Sequence, residues 1–206
     1  KDTIDSGHLS QEKLMANAGK AVAQFFCEKI NNPFNQKVVV VCGKGNNGGD
    51  GVITHSYLKS YNVSSKILFT EEKHPHSKLL KKYEISKSEY SIWDWNDFGE
   101  YDWVIDGIFG IGLSREIKGD YYHIINKMYD NDNVIAIDIV SGASENYYKY
   151  HEAKMSRYTI TFGYPKIGHY LNPTNNFLIT DIGFKCINKS SIMKIEHNAI
   201  SKLIKK

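Results

Sequence analysis

The stretch that most constrains this chain is Lys37-Val-Val-Val-Val-Cys42 together with the polar run behind it, Gly43-Lys-Gly-Asn-Asn-Gly-Gly-Asp-Gly51. A β-branched segment that is apolar on both faces has no wet side, which is the pattern of a strand buried within a parallel sheet. Parallel neighbours must be joined by long crossovers, usually helices, so this one segment already commits the chain to α/β architecture. The glycines after the strand let the backbone turn sharply and let a ligand phosphate approach the amides. A helix that follows points its free N–H groups and positive dipole end at the same spot.

The rest of the chain supplies the partners. Leu14, Met15, Ala18, Ala21, Val22, Phe25 and Phe26 recur at helical spacing, predicting a helix over 10–30 with Ser10 as cap and Asn31-Asn32-Pro33 as stop. Residues 52–60 read as a helix and 65–70 as a second strand. The polar stretch 71–100 reads as a lysine-rich helix near 76–83 and a connection, with His74-Pro-His76 as a solvated loop. Residues 102–106, 134–139, 158–162 and 177–180 read as further strands, and 120–129 as a helix with Tyr121, Ile124, Ile125 and Met128 on one face. Such alternation predicts a single domain with right-handed crossovers and helices on both faces of the sheet. Residues 185–206 read as a closing helix or the start of a linker.

Composition narrows the function classes. The 206 residues are 41% hydrophobic, enough for one domain with its own core. A net charge of +3 gives no field that argues for nucleic acid or an anionic membrane, and leaves an anionic small molecule open. Cys27, Cys42 and Cys186 form no CxxC, against a disulfide framework or a cysteine zinc site and in keeping with reduced thiols in the cytoplasm. No apolar run approaches the ~18 residues of a membrane span. The first residues, Lys1-Asp-Thr-Ile-Asp5, lack a signal-peptide layout, although a start at Lys rather than Met is compatible with trimming.

In open α/β sheets, ligands sit beyond the carboxyl ends of the strands. Three strands here end in polar sequence: Gly43 to Gly51, Asp106-Gly-Ile-Phe-Gly-Ile-Gly-Leu113, and Asp138-Ile-Val-Ser-Gly142. Asn-Gly alone is an ordinary turn pair, and a strand-end Asp often only fixes its own loop. Two such acids facing a glycine-rich loop are harder to dismiss. If the strands are neighbours, Asn47, Asp106 and Ser141 converge as an all-oxygen set, which suits a hard cation rather than zinc. Gly43, Gly45 and Gly48 also satisfy G-x-G-x-x-G, so a nicotinamide-dependent oxidoreductase is weighed. Its ribose-binding acid, Glu71 or Glu72, comes late for that role.

Gly45-Asn-Asn-Gly-Gly-Asp-Gly51 resembles the signature loop of the YjeF N-terminal family, the NAD(P)H-hydrate epimerases. Four further segments fit in the same order: Leu14-Met-Ala-Asn-Ala-Gly19, Asp106 to Leu113, Ile137-Asp-Ile-Val-Ser-Gly142 and Thr161-Phe-Gly-Tyr-Pro-Lys-Ile-Gly168. The resemblance implies a Rossmann-like three-layer αβα sandwich with a mostly parallel sheet, often a homodimer, that binds hydrated NADH or NADPH and a potassium ion. It implies substrate contacts from Asn46, Asn47, Gly48, Gly49 and Asp50, and from Gly110, Ile111, Gly112, Leu113, Ser114, Arg115 and Glu116. Tyr121 would line the pocket and Asp138 would meet the hydrated nicotinamide, while Asn47, Asp106 and Ser141 would hold potassium. A dehydratase, fused or separate, accompanies the epimerase in many relatives. Val140 departs from the family's Pro, and residues 143–153 depart from its glycine-containing stretch.

The reaction so implied expels the C6 hydroxyl of the hydrated ring as water and takes water back on the other face. Asp138 suits the proton work if burial raises its pKa toward neutrality. Lys166 is read as tuning that acid, orienting a phosphate, or lying at the surface. The rival from another class is a non-catalytic scaffold module for a nucleotide or RNA. Its hint is Trp93, Trp95 and the lysines from Lys78 to Lys87, which read more simply as a packing edge and a solvated helix.

Overall fold

The valine run forms β1 (Lys37–Cys42), buried from Val38 onward. The computed structural model describes residues 9–96, 98–113, 116–142, 155–171 and 176–184. Around β1 stand α1 (Gln11–Lys29), α2 (Asn46–Ser60), β2 (Ser64–Phe69), α3 (Ser77–Lys82), β3 (Tyr90–Ile92), β4 (Trp103–Gly107), α4 (Asp120–Met128), β5 (Val134–Ile137), β6 (Tyr158–Phe162), α5 (Ile167–Leu171) and β7 (Phe177–Thr180). Every strand pairing is parallel, and the seven strands run in the order β3-β2-β1-β4-β5-β6-β7.

Strand periodicity divides the core. Val38, Val40 and Cys42 pack with α1 and α2 on one face of the sheet. Val39 and Val41 pack with Ile124, Ile125 and Met128 of α4 on the other, which makes the three layers. Ser10 caps α1 as expected, its hydroxyl accepting the Lys13 amide at 3.2 Å. Among the described residues no helix is long and apolar enough to cross a membrane.

Four local expectations are corrected. The glycine run is loop only to Gly45, because the helix begins at Asn46 rather than at 52. A short strand, β3, occupies part of the predicted connection. β5 stops at Ile137, since Asp138 turns into the left-handed region at φ 65° and leaves the sheet. His74 and His76 are not a solvated loop. His74 stacks on Phe69 at 3.7 Å, and buried His76 holds the Gly43 carbonyl through Nε2 at 2.8 Å. Trp93 is buried, with exposed Trp95 packed against it at a tilt of 37°. The reading of 185–206 falls outside the described residues.

Candidate active site

β2 and β4 flank β1 on opposite sides, so the sheet changes direction at β1/β4, where an open α/β fold leaves a crevice. The segments beyond these two strands touch directly. The Gly43 amide donates to Gly107 O at 3.1 Å, and a Cβ on Gly43 would lie 2.2 Å from the Ile108 carbonyl oxygen. A Cβ on Gly48 would lie 1.8 Å from Gly43 O, so these glycines seat α2 on the strand ends. Gly45 differs: a Cβ there would meet nothing within 4 Å, and it lines a cavity of about 550 Å³. That volume is in the ligand-pocket range. Asn46, Asn47, Asp50, Gly110, Ile111, Gly112, Leu113 and Asp138 line the same cavity. Its other wall is apolar, with Leu14, Met15, Ala18, Phe162 and Phe184.

Asp106, fully buried in β4, is held by four neutral donors. Its Oδ1 accepts the Ser141 hydroxyl at 2.6 Å and the Ile108 amide at 3.1 Å. Its Oδ2 accepts the Tyr129 hydroxyl at 2.6 Å and the Ser141 amide at 2.8 Å. Burial pushes its pKa up, and these four hydrogen bonds pull it part of the way back. Ser141 Oγ also accepts the Phe109 amide at 2.9 Å, and Phe109 O accepts Asn47 Nδ2 at 3.0 Å. Asn47, Asp106 and Ser141 thus meet through one chain of contacts. The buried carboxylate has no cationic partner in it, and the donor set is oxygen throughout.

Asp138 is held differently. Lys166 Nζ pairs with its Oδ1 and also donates to Thr161 Oγ1 at 2.7 Å and Phe162 O at 3.2 Å. All three ammonium protons are therefore spent inside the protein, on the acid and its surroundings rather than on a phosphate. Asp138 Oδ2 accepts no hydrogen bond from the described residues. His169, unremarked in the sequence, fastens the backbone of both partners. Its Nε2 donates to Asp138 O at 2.8 Å and its Nδ1 accepts the Lys166 amide at 2.9 Å. Burial lowers its pKa, in keeping with a neutral ring that donates from one nitrogen and accepts at the other. The only sequence signal was a polar ring three residues after Lys166.

A second carboxyl faces the cavity. Asp50 is half-buried, and its carboxyl, at the lining of this cavity, is hydrogen-bonded to none of the described residues. Burial, and then the charge of Asp138, push its pKa well above the ordinary carboxylate range. Not every expected residue gathers here. Gly48 and Gly49 face packing partners instead, with Met15 Sδ 2.7 Å from a Cβ on Gly49. Glu116 and Tyr121 line a separate cavity of about 220 Å³, with Phe109 and Leu113. There Tyr121 donates to Glu71, which Lys44 approaches at 3.3 Å, so the acid weighed for a dinucleotide ribose is engaged within the protein. Ser114 and Arg115 lie outside the described residues.

Sheet order and crevice define a Rossmann-like α/β protein. The family model described as YjeF-related protein N-terminus matches residues 11–168, and the chain belongs to that family. It is 33% identical over 165 residues to the bifunctional NAD(P)H-hydrate repair enzyme Nnr of Dictyoglomus turgidum, covering 75% of this chain but 32% of that protein. It is 32% identical over 172 residues to the NAD(P)H-hydrate epimerase of Oenococcus oeni, covering 81% of each. The crystal structure of yeast ynu0 superposes with a TM-score of 0.74 at 19% identity, over 93% of this chain and 92% of that one, and shows the shared fold. The chain spans between about a third and half of the length of the first curated relatives it matches.

Proposed function

We propose that this chain interconverts the R and S epimers of hydrated NADH and NADPH, in nicotinamide nucleotide repair. The observation that carries the reading is the Asp138–Lys166 pair, standing with one carboxylate oxygen free at the wall of a cavity built from the family's own segments. The relatives named NAD(P)H-hydrate epimerase support the substrate class.

The hydrated ring carries a hydroxyl at C6 next to ring N1. The N1 lone pair expels the hydroxyl, the C6–O bond breaks with uptake of a proton, and a planar iminium forms. Water then adds to C6 from the opposite face and gives up a proton, which restores N1. Asp138 is the proton-transfer group, and Lys166 compensates and aims it. Phosphates of the dinucleotide go to the N-terminus of α2, where Gly45 leaves room and the helix dipole favours anions. Asn47, Asp106 and Ser141 would hold potassium, whose positive charge would offset the buried carboxylate and order the loops around it. The bifunctional relatives support a companion repair activity, such as a dehydratase, in the same chain or beside it.

Exchange NMR on an R/S mixture of hydrated NADH, with and without protein and potassium, tests both parts. Potassium-stimulated cross-peaks between epimers are expected. Binding of the mixture without exchange would sink the epimerase in favour of a binding module.

A further inference from the structure

Epimerisation at C6 takes oxygen off one face of a ring and puts it on the other, so protons must move on both faces. A single fixed carboxyl reaches one face well. The cavity holds two carboxyls, on different elements: Asp138 at the end of β5, and Asp50 within the second turn of α2. They are opposites in setting. Asp138 is tied to Lys166, Thr161 and the Phe162 amide through one oxygen. The carboxyl of Asp50 has no hydrogen-bond partner among the described residues, although the side chains of its neighbours Asn46 and Asn47 both have one. A half-buried carboxyl that lines a cavity and has no protein partner is open to a ligand, and acids so placed collect at functional sites.

Resting on the epimerase reading, we infer that Asp50 is a second catalytic residue, and that Asp50 and Asp138 serve opposite faces of the ring. The burial and the nearby negative charge that favour the protonated form of Asp50 fit it to start as the acid. For the epimer whose hydroxyl faces Asp50, the Asp50 proton passes to that hydroxyl, the C6–O bond breaks and water leaves. A second water, on the Asp138 face, bonds to C6 and passes its proton to Asp138. One water leaves, one enters, and one proton has moved from Asp50 to Asp138. That product state is the one needed for the reverse conversion, with the two roles exchanged.

The test is Asp50→Asn, which keeps size and shape. Hydrated NADH is followed by exchange NMR for epimerisation and, in ¹⁸O-water, by mass for oxygen exchange at C6, with binding and melting temperature measured on the same sample. We expect epimerisation to fall by ~100-fold or more, binding to persist, and oxygen exchange to survive in one epimer only. Epimerisation within threefold of wild type overturns the inference, as does oxygen exchange lost equally from both epimers. Lost binding with retained turnover also overturns it, since Asp50 would then merely hold ligand. An inactive wild-type protein would sink the epimerase reading itself, whereas a contrary result confined to the variant sinks only this inference.

Discussion

Asp106 and Asp138 stand at the ends of two adjacent strands, β4 and β5, and differ in nearly every physical respect. Asp106 lies in the sheet, sealed from water, with both oxygens filled by neutral donors from three segments. Asp138 has left the sheet through a left-handed turn, is paired with an ammonium, and keeps an oxygen free beside a cavity. A carboxylate gripped by four neutral donors and sealed from solvent by the fold is a framework part, able at most to hold an ion in place. One with a left-handed backbone, a charge partner and a free oxygen at a cavity has what the proposed acid–base role needs. Residue type and strand-end position are the same in both; hydrogen-bond occupancy separates them.

Substitution at each acid should therefore fail differently. Asp138→Asn should lower turnover by about 10³-fold, inside the usual range for a removed acid–base group, with binding retained. Single-turnover exchange NMR reads this, and turnover near wild type would erase the contrast. Asp106→Leu should act on the fold, because it orphans two hydroxyl and two amide donors. At about 1–3 kcal/mol for each unsatisfied buried donor, relieved in part by water, the loss is roughly 3–4 kcal/mol. Urea unfolding checks it; a loss below about 1 kcal/mol would mean that Asp106 is not the clamp its contacts describe.

Lys166→Met and Ser141→Ala sharpen the contrast by removing a partner rather than the acid. With no proton left over for a phosphate, Lys166 should matter to kcat and not to KM. A fall in kcat of about 10- to 100-fold is expected, near the scale of one charge-assisted bond. A rise in KM alone would make Lys166 a ligand-binding lysine. Ser141→Ala removes one donor to Asp106 and the acceptor for the Phe109 amide, and should cost about 1–2 kcal/mol of stability. It should also abolish any rise in melting temperature with potassium over sodium.

Much of this was readable in the chain, and the limits have physical causes. The valine run announced a buried parallel strand, and the strand-end acids followed from the polar residues that close each strand. The start of α2 was not legible, because Asn-Asn-Gly-Gly-Asp-Gly is poor helix sequence at about 1 kcal/mol per glycine relative to alanine. Packing of Gly48 on Gly43 overrides that preference. β3 is three residues long and half-wet, too short for a periodic pattern. Lys166 was left with three roles, and its contacts with Asp138, Thr161 and Phe162 favour the one beside the acid. His169 gave no signal beyond its place three residues after Lys166, since its work is to hold two backbone groups.

The smallest effect expected is also the one that tests how function and stability are divided here. Asp50 has its pKa raised well above the ordinary carboxylate range by burial and then by Asp138. Raised in the folded state, it contributes stability that is fully present below the unfolded value near pH 4 and is lost as pH rises through the folded value. Asn cannot ionise, so Asp50→Asn should match wild type at about pH 4 and melt higher near pH 7. For a domain of this size each 1 kcal/mol recovered raises Tm by about 2–4 °C. Scanning calorimetry at the two pH values makes the comparison. A variant less stable at neutral pH would mean that the carboxylate has a stabilising partner, which would remove the reason for regarding it as an acid kept at a cost. A variant more stable yet slower would mark Asp50 as a group whose placement costs the fold and serves the reaction.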